Sequence, residues 1–336
     1  MASVVYHPKK TDLDELRSIV ARIEAEAGWA PTQWHPTTEE DTKGEVAQNA
    51  LAEGANVVLA SGGDGTVRGV SQALRGTGVP LAIVPQGTGN LLARNIGMPL
   101  NDLEAAVRAA FFGENRPVDL GHITITREDR TEDEHGFLVL AGMGLDARMI
   151  SITRKDLKKR MGWLAYVDAG VRTFLKDKPL EIRYSLDRGP RKHLRVYTVM
   201  IGNCGLMPGG VLLIPDAKLD DGRLDVVALR PLGPFSWLSI WRKIGWENGV
   251  LRKTKAGRQM IDLINDTRSV TYATTTGFAL SVGQPEPIQL DGDDLGLAIA
   301  ARGRVDPGAL TLRVDPAWQA PVWAPDAELA TAGRAR

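Results

Sequence analysis

The sequence predicts an open parallel α/β domain followed by a mainly antiparallel β domain, and three observations carry that prediction. Val57–Ala60 and Pro80–Pro85 read as buried strands. Each opens into a glycine-rich loop, Gly62-Gly63-Asp64-Gly65-Thr66 and Gln86-Gly87-Thr88-Gly89-Asn90, with a helical pattern behind it. Two such units about 25 residues apart set their loops side by side at one edge of a parallel sheet, where open α/β folds bind ligands. After about residue 120 the pattern changes to short alternating segments, His122–Thr126, Leu180–Tyr184 and Ser269–Tyr272, the mark of half-buried antiparallel strands.

In chain order, Val4–Tyr6 is a first strand and His7-Pro8-Lys9-Lys10 the loop after it. A helix follows from Leu13 to about Ala27, capped by Asp12 or Thr11. Thr32–Trp34 is a second strand, and a polar stretch from Pro36 to Lys43 precedes a helix over Glu45–Ala52. Asn101–Phe112 is an amphipathic helix, and Val118-Asp119-Leu120 is the hinge into the second domain. The tail from Ala317 to Arg336, rich in Ala, Pro and Arg, is expected to fray.

The glycines of the first loop remove Cβ from the backbone, so successive N–H groups can converge on phosphate oxygens at the positive end of the following helix. Asp64 cannot face a phosphate without repulsion, so a divalent ion is the natural mediator. The loop holds no lysine and is not a Walker A motif. A lone glycine-rich turn between strand and helix would explain one such loop. It does not explain the pair.

Formal net charge is +0, with 41 basic and 41 acidic residues, so no global field favours nucleic acid. Cys204 is the single cysteine, which excludes an intramolecular disulfide or a thiolate metal cluster and fits a reducing cytoplasm. Met1–Tyr6 lacks a basic and apolar leader, and no apolar run reaches the roughly 18 residues that span a bilayer. The expectation is a cytoplasmic protein, at most peripheral on the inner face of the membrane.

The GGDGT loop, the segment Pro85-Gln86-Gly87-Thr88-Gly89-Asn90-Leu91-Leu92-Ala93-Arg94, and the stretches Val118–Gly121, Gly142–Ala147, Pro215–Gly222 and Leu290-Asp291-Gly292-Asp293 together resemble a known family. It is the catalytic domain of diacylglycerol kinases and related lipid kinases, including sphingosine and ceramide kinases and soluble bacterial relatives. The resemblance covers roughly residues 1 to 316. It implies a nucleotide-binding α/β domain over 1–119, rejoined by about 306–316, and a β-sandwich lipid-substrate domain over 120–305.

The activity implied is transfer of the ATP γ-phosphate to a lipid hydroxyl, most simply diacylglycerol to phosphatidic acid, with Mg2+. Matched residue by residue, Asp291 is the general base and Asp293 its support. Pro8, Thr37 (or Thr38), Gly62, Gly63, Asp64, Gly65, Thr66, Val67, Gly87, Thr88 and Asn90 contact the nucleotide. Asp64 and Asp119 hold a catalytic Mg2+, while Lys218, Asp221 and Arg223 frame a separate structural one. Gly142, Gly144 and Asp146 lie near the acceptor. The chain departs from the pattern at His7 and Lys10 in the first loop, and at Leu91, where relatives often carry an acid.

A lipid acceptor implies a membrane surface. Two stretches place aromatics beside basic residues: Arg154–Lys178, and Pro234–Lys255 with Phe235, Trp237, Trp241 and Arg242. Core packing is the ordinary role of such an aromatic stripe. Two other readings stay open, an NAD kinase-like phosphotransferase and a nucleotide-binding regulator without catalysis. A homodimer is compatible with all three.

Overall fold

The structure is a computed structural model that describes residues 1–38, 41, 44–144, 147, 179–207, 211–214, 217–230 and 270–318. The chain opens with alternating strands and helices: β1 (Ala2–Tyr6), α1 (Leu13–Ala27), β2 (Gln33–Pro36), α2 (Glu45–Ala52), β3 (Val57–Gly62), α3 (Asp64–Leu74), β4 (Leu81–Pro85), α4 (Leu91–Asn95) and α5 (Leu103–Phe112). The strands pair in parallel in the order β2-β1-β3-β4. β3 is buried along its whole length because helices cover both faces of the sheet. α1 and α5 pack Leu16, Ile23 and Phe111 against one face. α2 and α3 pack Ala47, Val70 and Leu74 against the other.

Local chemistry sets the helix limits. Asp12 caps α1 by accepting from the Glu15 N–H at 3.1 Å, and Gly28 ends it in the left-handed region at φ 69°. Thr11 is not the cap, because its hydroxyl reaches Ser61 instead. The second strand lies one residue later than expected and extends to Pro36. The helix behind the second glycine loop is short: Ile96 caps it and Gly97, at φ 74°, turns the chain toward α5.

The remaining elements are strands: β5 (Glu114–Thr126), β6 (Glu132–Phe137), β7 (Leu140–Gly144), β8 (Leu180–Leu186), β9 (Lys192–Val196), β10 (Thr198–Gly202), β11 (Leu206–Met207), β12 (Val211–Leu212), β13 (Leu224–Leu229), β14 (Val270–Thr275), β15 (Gly277–Leu290) and β16 (Asp293–Val314). They pair antiparallel in the order β14-β13-β10-β7-β15. β15 changes partner along its length, pairing with β8 at Phe278–Val282 and with β7 at Ile288–Leu290, so the sheet folds over itself around a core that includes Phe137, Ile182 and Phe278.

β16 carries this sheet into the first one. It pairs with β15 at its start, with β5 along most of its length and, at Leu312, in parallel with Leu81 of β4. Val118–Leu120, expected as a hinge, therefore lies inside β5, opposite an irregularity in β16 between Asp306 and Leu310. No helix among the described residues is long and apolar enough to cross a membrane.

Candidate active site

The first glycine loop is an open cradle. β3 ends at Gly62 and α3 begins at Asp64, with Gly63 as an extended N-cap that has no side-chain acceptor. The first helical bond runs from the Val67 N–H to the Gly63 carbonyl at 3.1 Å. The N–H groups of Asp64, Gly65 and Thr66 thus have no acceptor among the described residues. Anions bind at such helix starts.

The second loop is closed on itself. The Asn90 side chain accepts from the Gly87 N–H and donates to the Gly87 carbonyl, both at 2.9 Å, and holds its own backbone at φ 46°. Arg94 Nε donates to the Gly89 carbonyl at 2.7 Å, and Thr88 stands exposed at the tip. The Gln86 N–H donates to the Gly62 carbonyl at 2.9 Å, which ties this loop to the first. Gly63 and Gly87 meet so closely that a Cβ on Gly87 would lie 2.6 Å from the Gly63 Cα.

Asp64 joins the two loops. Its Oδ1 accepts from the Leu91 N–H at 2.5 Å, so the position where an acid was expected contributes a backbone donor instead. A Cβ on Gly89 would meet its Oδ2 at 2.5 Å. Burial pushes the Asp64 carboxyl up to about 6, and Asp291 and Asp293 push the same way against the pull of the Leu91 N–H.

These two acids come from the far end of the chain. Asp291 and Gly292 form the two-residue link of the β15–β16 hairpin, with φ 50° and 86°, the left-handed pair that an Asp-Gly turn supplies. Unlike an ordinary solvated turn, this one is packed inward and leaves Asp291 3% exposed. Its Oδ1 accepts from the N–H groups of Val139 and Leu140 at 2.8 and 3.0 Å, and its Oδ2 from Leu138 at 3.0 Å. Burial raises the Asp291 carboxyl above its ordinary range, against Arg68 and the three amides.

Asp293 faces the cradle, and a Cβ on Gly65 would lie 2.9 Å from its Oδ2. Arg68 of α3, 6% exposed, fixes this approach by donating to the Leu290 carbonyl at 2.7 Å and pairing with Asp293 at 2.9 Å. Sequence reasoning missed Arg68. It interrupts the apolar face of α3, and only its partner 225 positions later explains it.

Asp119, expected beside Asp64, has backbone partners at both carboxylate oxygens. Its Oδ2 accepts from the Gly222 N–H at 2.6 Å and its Oδ1 from the Gly308 N–H at 2.8 Å. Burial raises its carboxyl, helped by Asp221 and Asp220, so its acidic neighbours belong to the Lys218–Arg223 turn. There the Asp221 Oδ1 accepts from the Arg223 N–H at 2.9 Å. Asn203, fully buried, donates to the Asp119 carbonyl while its own Oδ1 has no hydrogen-bond partner.

Other expected residues have local partners or stand at the surface. The buried Thr37 hydroxyl donates to Asp41, whose carboxylate also accepts from the Glu45 N–H at the start of α2. Thr38 follows it, and Pro8 is exposed in the loop after β1. Gly142 and Gly144 lie inside β7, and a Cβ on Gly144 would sit 2.6 Å from the Tyr197 carbonyl, so packing requires that glycine. Asp146 and both aromatic-basic stretches, 154–178 and 234–255, fall outside the described residues.

Two family signatures match this chain: the diacylglycerol kinase catalytic domain over residues 2–123, and the YegS C-terminal NAD kinase beta sandwich-like domain over 139–314. A Pseudomonas aeruginosa protein named "Probable lipid kinase YegS-like" is 35% identical over 228 residues, covering 67% of this chain and 71% of its own length. The chain belongs to the diacylglycerol kinase-like family of lipid kinases. A further member, the diacylglycerol kinase of Mycobacterium tuberculosis, is 33% identical over 181 residues, 53% of this chain and 56% of that one. The fold agrees with a Bacillus anthracis diacylglycerol kinase crystal structure at a TM-score of 0.65 and 19% identity, covering 95% of this chain and 98% of that one.

The family expectation of Mg2+ fits the donor chemistry in part. No group of three or more His, Cys, Asp or Glu among the described residues could hold a metal unaided. Asp64, beside two further carboxylates, is the residue that would hold such a cation, whose charge would relieve their repulsion. At the second turn Asp221, whose Oδ1 accepts from the Arg223 N–H, is the carboxylate that would hold the structural ion.

Proposed function

We propose that this chain transfers the γ-phosphate of ATP to the hydroxyl of a lipid, with diacylglycerol giving phosphatidic acid as the simplest case. The approach of Asp293 to Gly65, fixed by Arg68, carries the reading. It brings the acidic turn from the rear of the chain against the open amides of the first loop. Phosphoryl transfer asks mainly for positioning, charge neutralisation and a base near the attacking hydroxyl.

In this reading the N–H groups of Asp64, Gly65 and Thr66 receive phosphate oxygens, and the closed second loop holds Asp64 in place. Asp291 is the base. Its Oδ1 already takes two N–H bonds but its Oδ2 takes only one, which leaves a lone pair for the hydroxyl proton. The acceptor oxygen bonds to the γ-phosphorus, the bond to the β-phosphate oxygen breaks, ADP leaves, and the proton passes to Asp291. Mg2+ at Asp64, when bound, supplies charge for the phosphate oxygens. Asp293, paired with Arg68, keeps the turn against the cradle. The acceptor would come from a membrane surface.

Incubation of the purified chain with labelled ATP, Mg2+ and mixed micelles containing diacylglycerol, ceramide, sphingosine or phosphatidylglycerol tests the proposal. Label in phosphatidic acid is expected. In a parallel reaction with NAD in place of the micelles, label transferred to NAD and to none of the lipids supports the NAD kinase-like alternative. ATP binding with no labelled product from any acceptor supports the regulator, a reading favoured by the three amides that engage Asp291.

A further inference from the structure

The first glycine loop has no lysine of its own, yet an ammonium lies over it. The Lys10 Nζ comes from the loop after β1, and a Cβ placed on Gly63 would lie 3.1 Å from it. This loop is pinned to the base of the cradle. The His7 N–H donates to the Ser61 carbonyl at 2.9 Å, and the Lys10 and Thr11 N–H groups donate to the His7 carbonyl at 3.0 and 3.1 Å. The buried Thr11 hydroxyl contacts the Ser61 carbonyl and hydroxyl at 3.2 and 3.1 Å. Ser61 immediately precedes Gly62, so Lys10 and the open amides are held in one frame.

The other cations at the loops are engaged. Arg68 is divided between the Leu290 carbonyl and Asp293, and Arg94 Nε donates to the Gly89 carbonyl. The Lys10 ammonium has no ion-pair partner among the described residues, and Asp64 turns its carboxylate to the Leu91 N–H instead. A triphosphate entering a site lined by Asp64, Asp291 and Asp293 needs positive charge on its other side. Lys10 is placed to give it.

We infer that Lys10 is a binding residue for the terminal phosphates of the nucleotide, and that the first loop, rather than the glycine loop itself, delivers the phosphate-binding cation in this chain. The inference rests on the ATP-dependent reading above and assigns one residue within it. An ammonium–phosphate hydrogen bond is charge-assisted, so its removal has a large effect on ATP and none on the nucleoside.

The test is equilibrium binding of ATP, ADP and adenosine, with Mg2+ and without lipid, to the unaltered chain and to the variants Lys10→Met and Lys10→Arg. Lys10→Met should weaken ATP about tenfold or more, leave adenosine unchanged and melt with the unaltered chain in the absence of ligand. Lys10→Arg should hold ATP within about threefold. Equal ATP binding by Lys10→Met, or equal losses of ATP and adenosine, overturns this inference alone. If the unaltered chain binds no ATP, the nucleotide reading falls with it.

Discussion

Two Asp-Gly turns, Asp221-Gly222 and Asp291-Gly292, hold the buried Asp119 and Asp291, and the acids there have different surroundings. At the Asp119 turn both carboxylate oxygens accept backbone N–H groups, from Gly222 and Gly308, and the acid ties three distant segments together. At the cradle Asp64, Asp291 and Asp293 crowd one another, and Arg68 pairs with Asp293 and draws the Asp291 carboxyl down. The first arrangement satisfies its charge with architecture. The second leaves charge to be neutralised by something that binds. Both turns read alike as Asp-Gly motifs, so it is the partners of each carboxylate that separate scaffold from chemistry.

Substitutions at the two turns should break or sharpen this contrast. The largest effect is expected at Asp64. Asp64→Asn should cut γ-phosphate transfer by about a thousandfold if, as proposed, this acid holds Mg2+. The same variant should be more stable without ligand at pH 7. A carboxyl raised from 3.8 to about 6 binds its proton more tightly folded than unfolded, so its contribution falls as pH rises through that interval. The expected gain is about 1–3 kcal/mol at pH 7, vanishing below about pH 4, as read by denaturant unfolding across pH.

Asp119→Ala should act in the opposite direction. Two buried N–H groups lose their acceptor, at a cost of about 2–4 kcal/mol in unfolding free energy, while ATP affinity at 25 °C stays unchanged. A parallel loss of ATP affinity would show that the two turns are not separate.

Arg68→Met should have a smaller effect, lowering transfer about tenfold. Arg68 pulls the Asp291 carboxyl down, so its removal should also move the acid limb of the pH–rate profile upward. Arg68→Lys should recover part of the rate and return the limb toward its original position.

Much of this arrangement is legible in the sequence because it is local. The glycine loops follow apolar runs, the Asp-Gly pair marks a hairpin, and the cap of α1 stands at Asp12. What is not legible depends on contacts across the chain. Nothing near Arg68 announces Asp293, and nothing near Asp119 announces Gly308. Leu91 reads as a lost acid until its N–H is seen on Asp64. Asn90 carries a binding motif but closes its own loop, because a short amide side chain at φ 46° reaches its own backbone first. The strand that pairs with Val118–Leu120 lies almost two hundred residues later, so its register is not legible from the local sequence.

The central claim is that an acid from the rear of the chain acts on a phosphate held at the front. It is tested most directly by single-turnover transfer of labelled γ-phosphate to diacylglycerol micelles, comparing the unaltered chain with Asp291→Asn and Asp293→Asn while ATP binding is followed in parallel. Asp291→Asn should lose about a hundredfold or more in rate with ATP affinity retained, and Asp293→Asn should lose less. An unaltered rate in Asp291→Asn, or a larger loss in Asp293→Asn, would contradict the assignment.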